Sequence, residues 1–396
     1  MNESDDGLSH VQEGPMTRQC HQPPIKVIGI GGGGSNAIDR MIHVGIPGVQ
    51  FMAANTDAQT LARSEAPRKV QLGPQTTRGL GAGGDPEVGA RAAEESSEAL
   101  LEVLRGAEIV FLALGLGGGT GTGAGPVIAE LARQVGALTV AVATTPFSFE
   151  GRRRAETAMA GMQTLGNKSD TLIAISNDRL LEFIDEETSL DISFRIADEV
   201  LRQGIQGVAE LITNTGLINL NLMHVRTVLQ NAGSALMSIG QGRGEGRAVE
   251  AAHLAIASPL TRLSSIAGAS GILVNITGGT DLSLDEIQQA VSTIAGVASP
   301  DANIFFGATV DPNMGTQLQV MLIAVGMDGL TRVRAVDSLV HEGEPYRGSA
   351  ARPLKAGGAG LHGFDRSQHG ADLHDLDIPT FLRRRRLARI AEEQHD

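Results

Sequence analysis

A single cysteine, Cys20, serves all 396 residues, so no disulfide can form within the chain, and a reducing compartment is the simplest setting. No apolar run reaches the roughly 18 residues that a membrane-spanning helix needs. Positive charge is also short: 32 Lys and Arg stand against 45 Asp and Glu, a formal −13, which argues against sequence-independent binding to nucleic acid. The stretch from Met1 to Gln22 is polar and acidic, with neither a basic n-region nor an apolar h-region, and a cytoplasmic protein is expected. The motif G-x-x-x-x-G-K-[ST] is missing, and with it the lysine and the Mg²⁺-binding hydroxyl of the P-loop class.

What remains is a chain with 41% hydrophobic and 19% charged residues, as in globular proteins, and long enough for more than one core. Short, near-continuously apolar runs occur at Lys26–Ile30, Gln50–Ala54, Val70–Leu72, Ile109–Leu114, Leu138–Ala143 and Thr171–Ser176. Such runs fit parallel strands covered on both faces, so the expected class is α/β, a doubly wound and mostly parallel sheet. Helical spacing from Asp191 to Thr213 predicts a long central helix. A smaller α/β unit is expected after it, with strands at Gly271–Ile276, Asn303–Thr309 and Leu318–Val325. Its helix over Ser283–Ala295 opens on the capping box Ser283-x-x-Glu286. The expected boundaries are a disordered tail 1–24, a first domain 25–190, the helix 191–214, a second domain 215–336, a flexible linker 337–374 and a terminal peptide 375–396.

Glycine is abundant, 51 residues, and most telling in the run Gly117-Gly118-Gly119-Thr120-Gly121-Thr122-Gly123-Ala124-Gly125-Pro126. The run follows a strand pattern and precedes a helical pattern over Pro126–Val135. That context suits a phosphate cradle, in which bare N–H groups, a helix N-terminus and two Thr hydroxyls face an anion. A Gly linker is the bland alternative, and linkers rarely join a buried strand to an amphipathic helix. A second glycine turn, Gly29-Ile30-Gly31-Gly32-Gly33-Gly34-Ser35-Asn36, matches the dinucleotide fingerprint, but two phosphate loops on one sheet suit a mononucleotide triphosphate better. A third cluster, Thr77–Gly83, reads as a loop. Asn167-Lys168-Ser169-Asp170 imitates a guanine-reading N-K-x-D, yet without a P-loop it reads as a polar turn.

Together with Asn55-Thr56-Asp57-Ala58, Pro146–Arg154 and Asn177–Leu181, these motifs resemble one family throughout, FtsZ, the bacterial tubulin-like cell-division GTPase. The resemblance covers about residues 25–330 and the terminal peptide. It implies the tubulin/FtsZ fold, GTP or GDP as ligand with Mg²⁺ carried on the nucleotide rather than by a direct metal site, and head-to-tail filaments of the division ring at midcell, on the inner face of the membrane. By this resemblance Gly31, Gly32, Gly33, Gly34, Ser35 and Asn36, with Gly117, Gly118, Gly119, Thr120, Gly121, Thr122 and Gly123, are the nucleotide loops. Glu150 and Arg154 are the ribose and phosphate contacts, Phe194 and Asp198 the guanine pair, and Asn177 a further contact. A solvated basic loop at Arg152–Arg154 and a core Phe194 beside a surface Asp198 are the plain alternatives.

The resemblance breaks in one place. The family's catalytic loop, which acts on the nucleotide of the neighbouring subunit, follows Asn-x-Asp-x-x-Asp; here it is Asn219-Leu220-Asn221-Leu222-Met223-His224. Neither Asn221 nor His224 is a carboxylate, and losing an acid/base group typically costs about 10²–10⁴ in rate. Weak hydrolysis in homopolymers is therefore expected. The alternative is a hydrolysis-defective paralogue that co-assembles with an ordinary FtsZ and regulates it. A purely structural filament and a nicotinamide dehydrogenase are the other classes. The terminal peptide, with Asp377, Ile378, Pro379, Phe381 and Leu382, resembles the family's site for membrane-tethering adaptors. The Arg383–Arg386 run beyond it is either a lipid-attracting or a solubilising tail.

Overall fold

The computed structural model describes residues 24–181, 190–213, 217–257 and 266–327. The terminal adaptor-like peptide, the linker, the N-terminal tail and Cys20 lie outside the described residues.

Ten strands form one sheet in the order β3-β2-β1-β4-β5-β6-β7-β10-β8-β9. They are β1 Ile25–Ile30, β2 Val49–Asn55, β3 Arg68–Gln71, β4 Ile109–Gly115, β5 Leu138–Thr145, β6 Thr171–Ser176, β7 Gly233–Arg243, β8 Gly271–Gly278, β9 Asn303–Val310 and β10 Gln317–Val325. Strands β1 to β6 are parallel neighbours, and β10 runs antiparallel to both β7 and β8. β7 joins β6 in parallel through three residue pairs, so the two expected units share a single sheet.

The helices are α1 Gly31–Val44, α2 Ala58–Arg63, α3 Pro86–Glu95, α4 Ser97–Leu104, α5 Gly119–Gln134, α6 Arg152–Lys168, α7 Asn177–Leu181, α8 Leu190–Thr213, α9 Leu222–Leu229, α10 Arg247–Ile256 and α11 Leu284–Ala295. Helices α1 and α8 cover one face of the first six strands, burying Ile38, Met41, Val200 and Ile205 against Val27, Phe111 and Val142. Helices α3 to α6 cover the other face, with Leu100, Ile128 and Leu165 on Leu112 and Leu114. A third core joins α10 and α11 to β8 and β10. The capping box at Ser283 is formed, its hydroxyl and the Glu286 carboxylate each accepting the other's backbone N–H.

Two elements differ from the sequence pattern. The glycine run is not a loop ahead of a helix that starts at Pro126: Gly117 and Gly118 form the turn, and helix α5 begins at Gly119 and contains the rest of the run. Small residues are required there, because a Cβ on Gly123 would lie 1.9 Å from the Pro86 carbonyl oxygen of α3. Strand β7 escaped the apolar pattern for the same reason. Cβ atoms on Gly240 and Gly242 would each sit 2.1 Å from carbonyl oxygens of α10, so bare backbone replaces branched side chains under that helix. Asn167 and Lys168 end α6, and Asp170 accepts the Thr139 N–H and faces Arg133, a structural role.

Candidate functional site

The C-terminal ends of β1, β4 and β5 and the N-termini of α1 and α5 open on a cavity of about 350 Å³. Its floor is glycine backbone: Gly31, Gly32 and Gly33 on α1, Gly118 on the turn into α5, and Gly119 and Gly121 in the first turn of α5. Gly117 makes that turn at φ +93°. At Gly32 and Gly118 a Cβ would meet nothing within 4 Å, so packing does not demand glycine there; a side chain would project from the cavity wall instead. Two helix N-termini thus present unshielded N–H groups to one space, which is chemistry for a polyanion.

Asn36, Thr120, Glu150, Arg154, Asn177, Phe194 and Asp198 also line the cavity, from five separate stretches of chain. Five of the named residues do not reach the wall. Gly34 packs under the Ala113 carbonyl and Gly123 under α3. Gly117 shapes the turn, and its N–H donates to the Thr122 hydroxyl at 2.9 Å, so Thr122 braces the loop. Ser35 is buried, and its hydroxyl has no partner among the described residues. The Thr120 hydroxyl meets that of Thr56 at 2.6 Å, and the Thr56 carbonyl accepts from Thr77 and Gly81. The 77–83 loop is thereby tied to the rim without lining the cavity.

Opposite the glycines the wall is aromatic and acidic. Phe194 packs edge-on against buried Phe147 at 5.4 Å, and Phe147 stacks on Phe149 at 4.9 Å. Arg154 Nη1 lies 2.8 Å from Glu150 Oε2, while Glu150 Oε1 accepts the Phe147 N–H. Burial pushes the Asp198 carboxyl up to about 7, against the opposing pull of Arg40. Arg40 lies outside any glycine or acidic motif, and Thr144 and Thr145, both on the wall, belong to no motif that the sequence displays.

The loop 219–224 lies elsewhere. It follows α8, whose 24 residues span about 36 Å, and Phe194 and Asp198 sit near the start of that helix. Ile218 bridges to Ala308, and Arg226 of α9 reaches Glu108, just before β4, at 3.4 Å. The cavity is at the far end of β4. Asn221 caps α9, and the His224 ring stacks on Phe305 with centroids 5.0 Å apart. Its Nδ1 is buried without a partner among the described residues. One chain therefore never brings its own 219–224 loop to its own cavity.

The fold has counterparts among known proteins. Residues 24–185 match the family model described as Tubulin/FtsZ family, GTPase domain, and residues 233–328 match FtsZ family, C-terminal domain. The solved FtsZ dimer of M. jannaschii, in its empty form, is 43% identical over 78% of this chain and 90% of its own, with a TM-score of 0.75. A mutant FtsZ of M. jannaschii aligns at 43% identity, 78% and 92% coverage and a TM-score of 0.74. CetZ2 from Haloferax volcanii, solved as a GTPγS-bound protofilament, shares the fold at 20% identity, 80% and 96% coverage and a TM-score of 0.68. The fold and the glycine-floored cavity define a tubulin-like GTPase-class protein. Within that class the chain belongs to the FtsZ family.

Proposed function

We propose that the cavity binds GTP and GDP and that the chain polymerises head to tail, its 219–224 loop meeting the cavity of the next subunit. The observation that carries this reading is the placement of cavity and loop at opposite ends of α8. The glycine floor fits the phosphates, with Mg²⁺ riding on them; Glu150 and Arg154 suit ribose and phosphate, and Phe194 and Asp198 suit the base. The exposed Leu80 and Phe149 are on segments near the cavity, and the exposed Leu217 and Met223 lie just before the loop and within it, giving each end apolar surface to bury.

Hydrolysis divides from binding in this arrangement. Asn221 can place a water but has no useful basicity, and the His224 ring is committed to Phe305. Homopolymers then bind GTP and turn it over slowly. A filament of the division ring at midcell, attached through adaptors on the terminal peptide, is the role that follows. The second reading, a subunit that co-assembles with an ordinary FtsZ, is favoured by the same two residues. Its cavity still serves a neighbour that supplies both aspartates, while its own loop stalls the subunit it touches. Sedimentation with GTP tests assembly: pelleting with GTP and not without it supports the proposal, and no nucleotide-dependent pellet at any concentration refutes it. Pelleting together with an ordinary FtsZ, with GTP turnover below the sum of the two proteins alone, selects the second reading.

A further inference from the structure

The carboxylate of Asp198 is held from outside its own helix. Asp198 sits on α8 at the cavity wall, its side chain only 16% exposed, and Arg40 of α1 places Nε 3.4 Å from its Oδ2. Arg40 itself is not on the wall. Asp39, His43, Glu199, Asp178 and Glu150, on the surrounding elements, each have another partner. On α1, Asp39 accepts from Ser64 and Glu65, and His43 faces Glu65. On α8, Glu199 pairs with Arg202, and Arg195 lies on the exposed side. Asp178 of α7 accepts the Ser148 N–H, and Glu150 pairs with Arg154 across the cavity.

We propose that Arg40 is a positioning residue for base recognition, favouring the ionised form of Asp198 and holding it turned so that both oxygens accept the N1–H and N2–H of a guanine. This rests on the reading of the cavity as a guanine-nucleotide site with Asp198 at the base. The chemistry is a matter of donor count. An ionised carboxylate accepts at both oxygens and matches guanine's two donors. A protonated carboxyl offers one donor and one acceptor, which opposes guanine but complements the N1 acceptor and N6 donor of adenine. Burial favours the protonated form, and the guanidinium opposes it. Arg40 therefore tips the balance at neutral pH toward the form that accepts guanine, without touching the base.

The test is calorimetric titration of GDP and ADP into the full chain between pH 6 and 9, for the unmodified protein, Arg40→Gln, Arg40→Met and Asp198→Asn. Loss of the cation is expected to weaken GDP about tenfold at pH 7 and to leave it within about twofold at pH 9, while the GDP-to-ADP preference narrows at pH 7. Arg40→Met keeps the aliphatic stem and gives the same profile, so a packing defect peculiar to glutamine does not imitate the effect. A loss of equal size at every pH, or no loss in either variant, overturns the proposal. If Asp198→Asn binds GDP as tightly as the unmodified chain, the underlying reading of the base site fails. If Asp198→Asn weakens GDP while both Arg40 variants keep the original pH profile, the role of Arg40 alone fails.

Discussion

The side-chain oxygen of Asn221 accepts the backbone N–H of His224 at 2.9 Å, capping α9 at the point where the family pattern carries its aspartates. An aspartate caps a helix as well as an asparagine does and adds favourable charge at the N-terminus. Asn221→Asp is thus expected to keep or raise stability by up to about 1 kcal/mol, whereas Asn221→Ala loses about 1 kcal/mol. Urea denaturation of the two variants checks this. A large loss in Asn221→Asp would mean that the loop is held by something other than the cap.

Two glycines of one run separate binding from packing. At Gly118 a Cβ meets nothing within 4 Å, and at Gly123 it lies 1.9 Å from a carbonyl oxygen. Gly118→Ala should fold with a nearly unchanged midpoint and lose GDP affinity, because the methyl enters the cavity. Gly123→Ala should cost about 1–3 kcal/mol by forcing α3 away from α5. Thermal melts beside GDP titrations distinguish the pair, and equal behaviour of the two variants contradicts the assignment.

Asp198 makes binding depend on pH. Its carboxyl sits at about 7 in the folded chain, well above an ordinary carboxylate, because of burial. Folding of the nucleotide-free chain therefore gains from the protonated form. That gain is full below the ordinary carboxylate range and is lost as pH rises through about 7. A base that needs the ionised form reverses the balance. GDP binding should release a proton near pH 6.5 and weaken about tenfold per pH unit below about 7. Calorimetry in two buffers of different ionisation enthalpy measures the release, and Asp198→Asn should abolish it.

Much of this fold is legible in the chain. Strands such as Ile109–Gly115 are apolar throughout because both faces are covered, and α8 shows its helical spacing over Asp191 to Thr213. The capping box at Ser283 and Glu286 forms as its spacing indicates. What stayed hidden shares one physical cause. Where two backbones approach closely, as β7 does under α10 or α5 on α3, glycine replaces the apolar residues that mark an element, and local propensity points away from it. The site divides likewise. Cavity residues on glycine-rich turns announce themselves by type and spacing, while Arg40 acts through a contact between α1 and α8 that only the fold creates. His224 was legible as a departure from the family pattern, but its stack on Phe305 was not, since 81 residues separate the two.

On the proposed reading this chain binds GTP with an intact cavity while its own loop lacks the groups to turn over a neighbour's. Phosphate release under assembling conditions tests it most directly, comparing the unmodified chain with the double variant Asn221→Asp and His224→Asp at matched polymer mass. Slow release is expected from the unmodified chain and an increase of about 10²-fold or more in the double variant, with similar GTP affinity in both. Equal rates in the two proteins, or a faster unmodified chain, would contradict it.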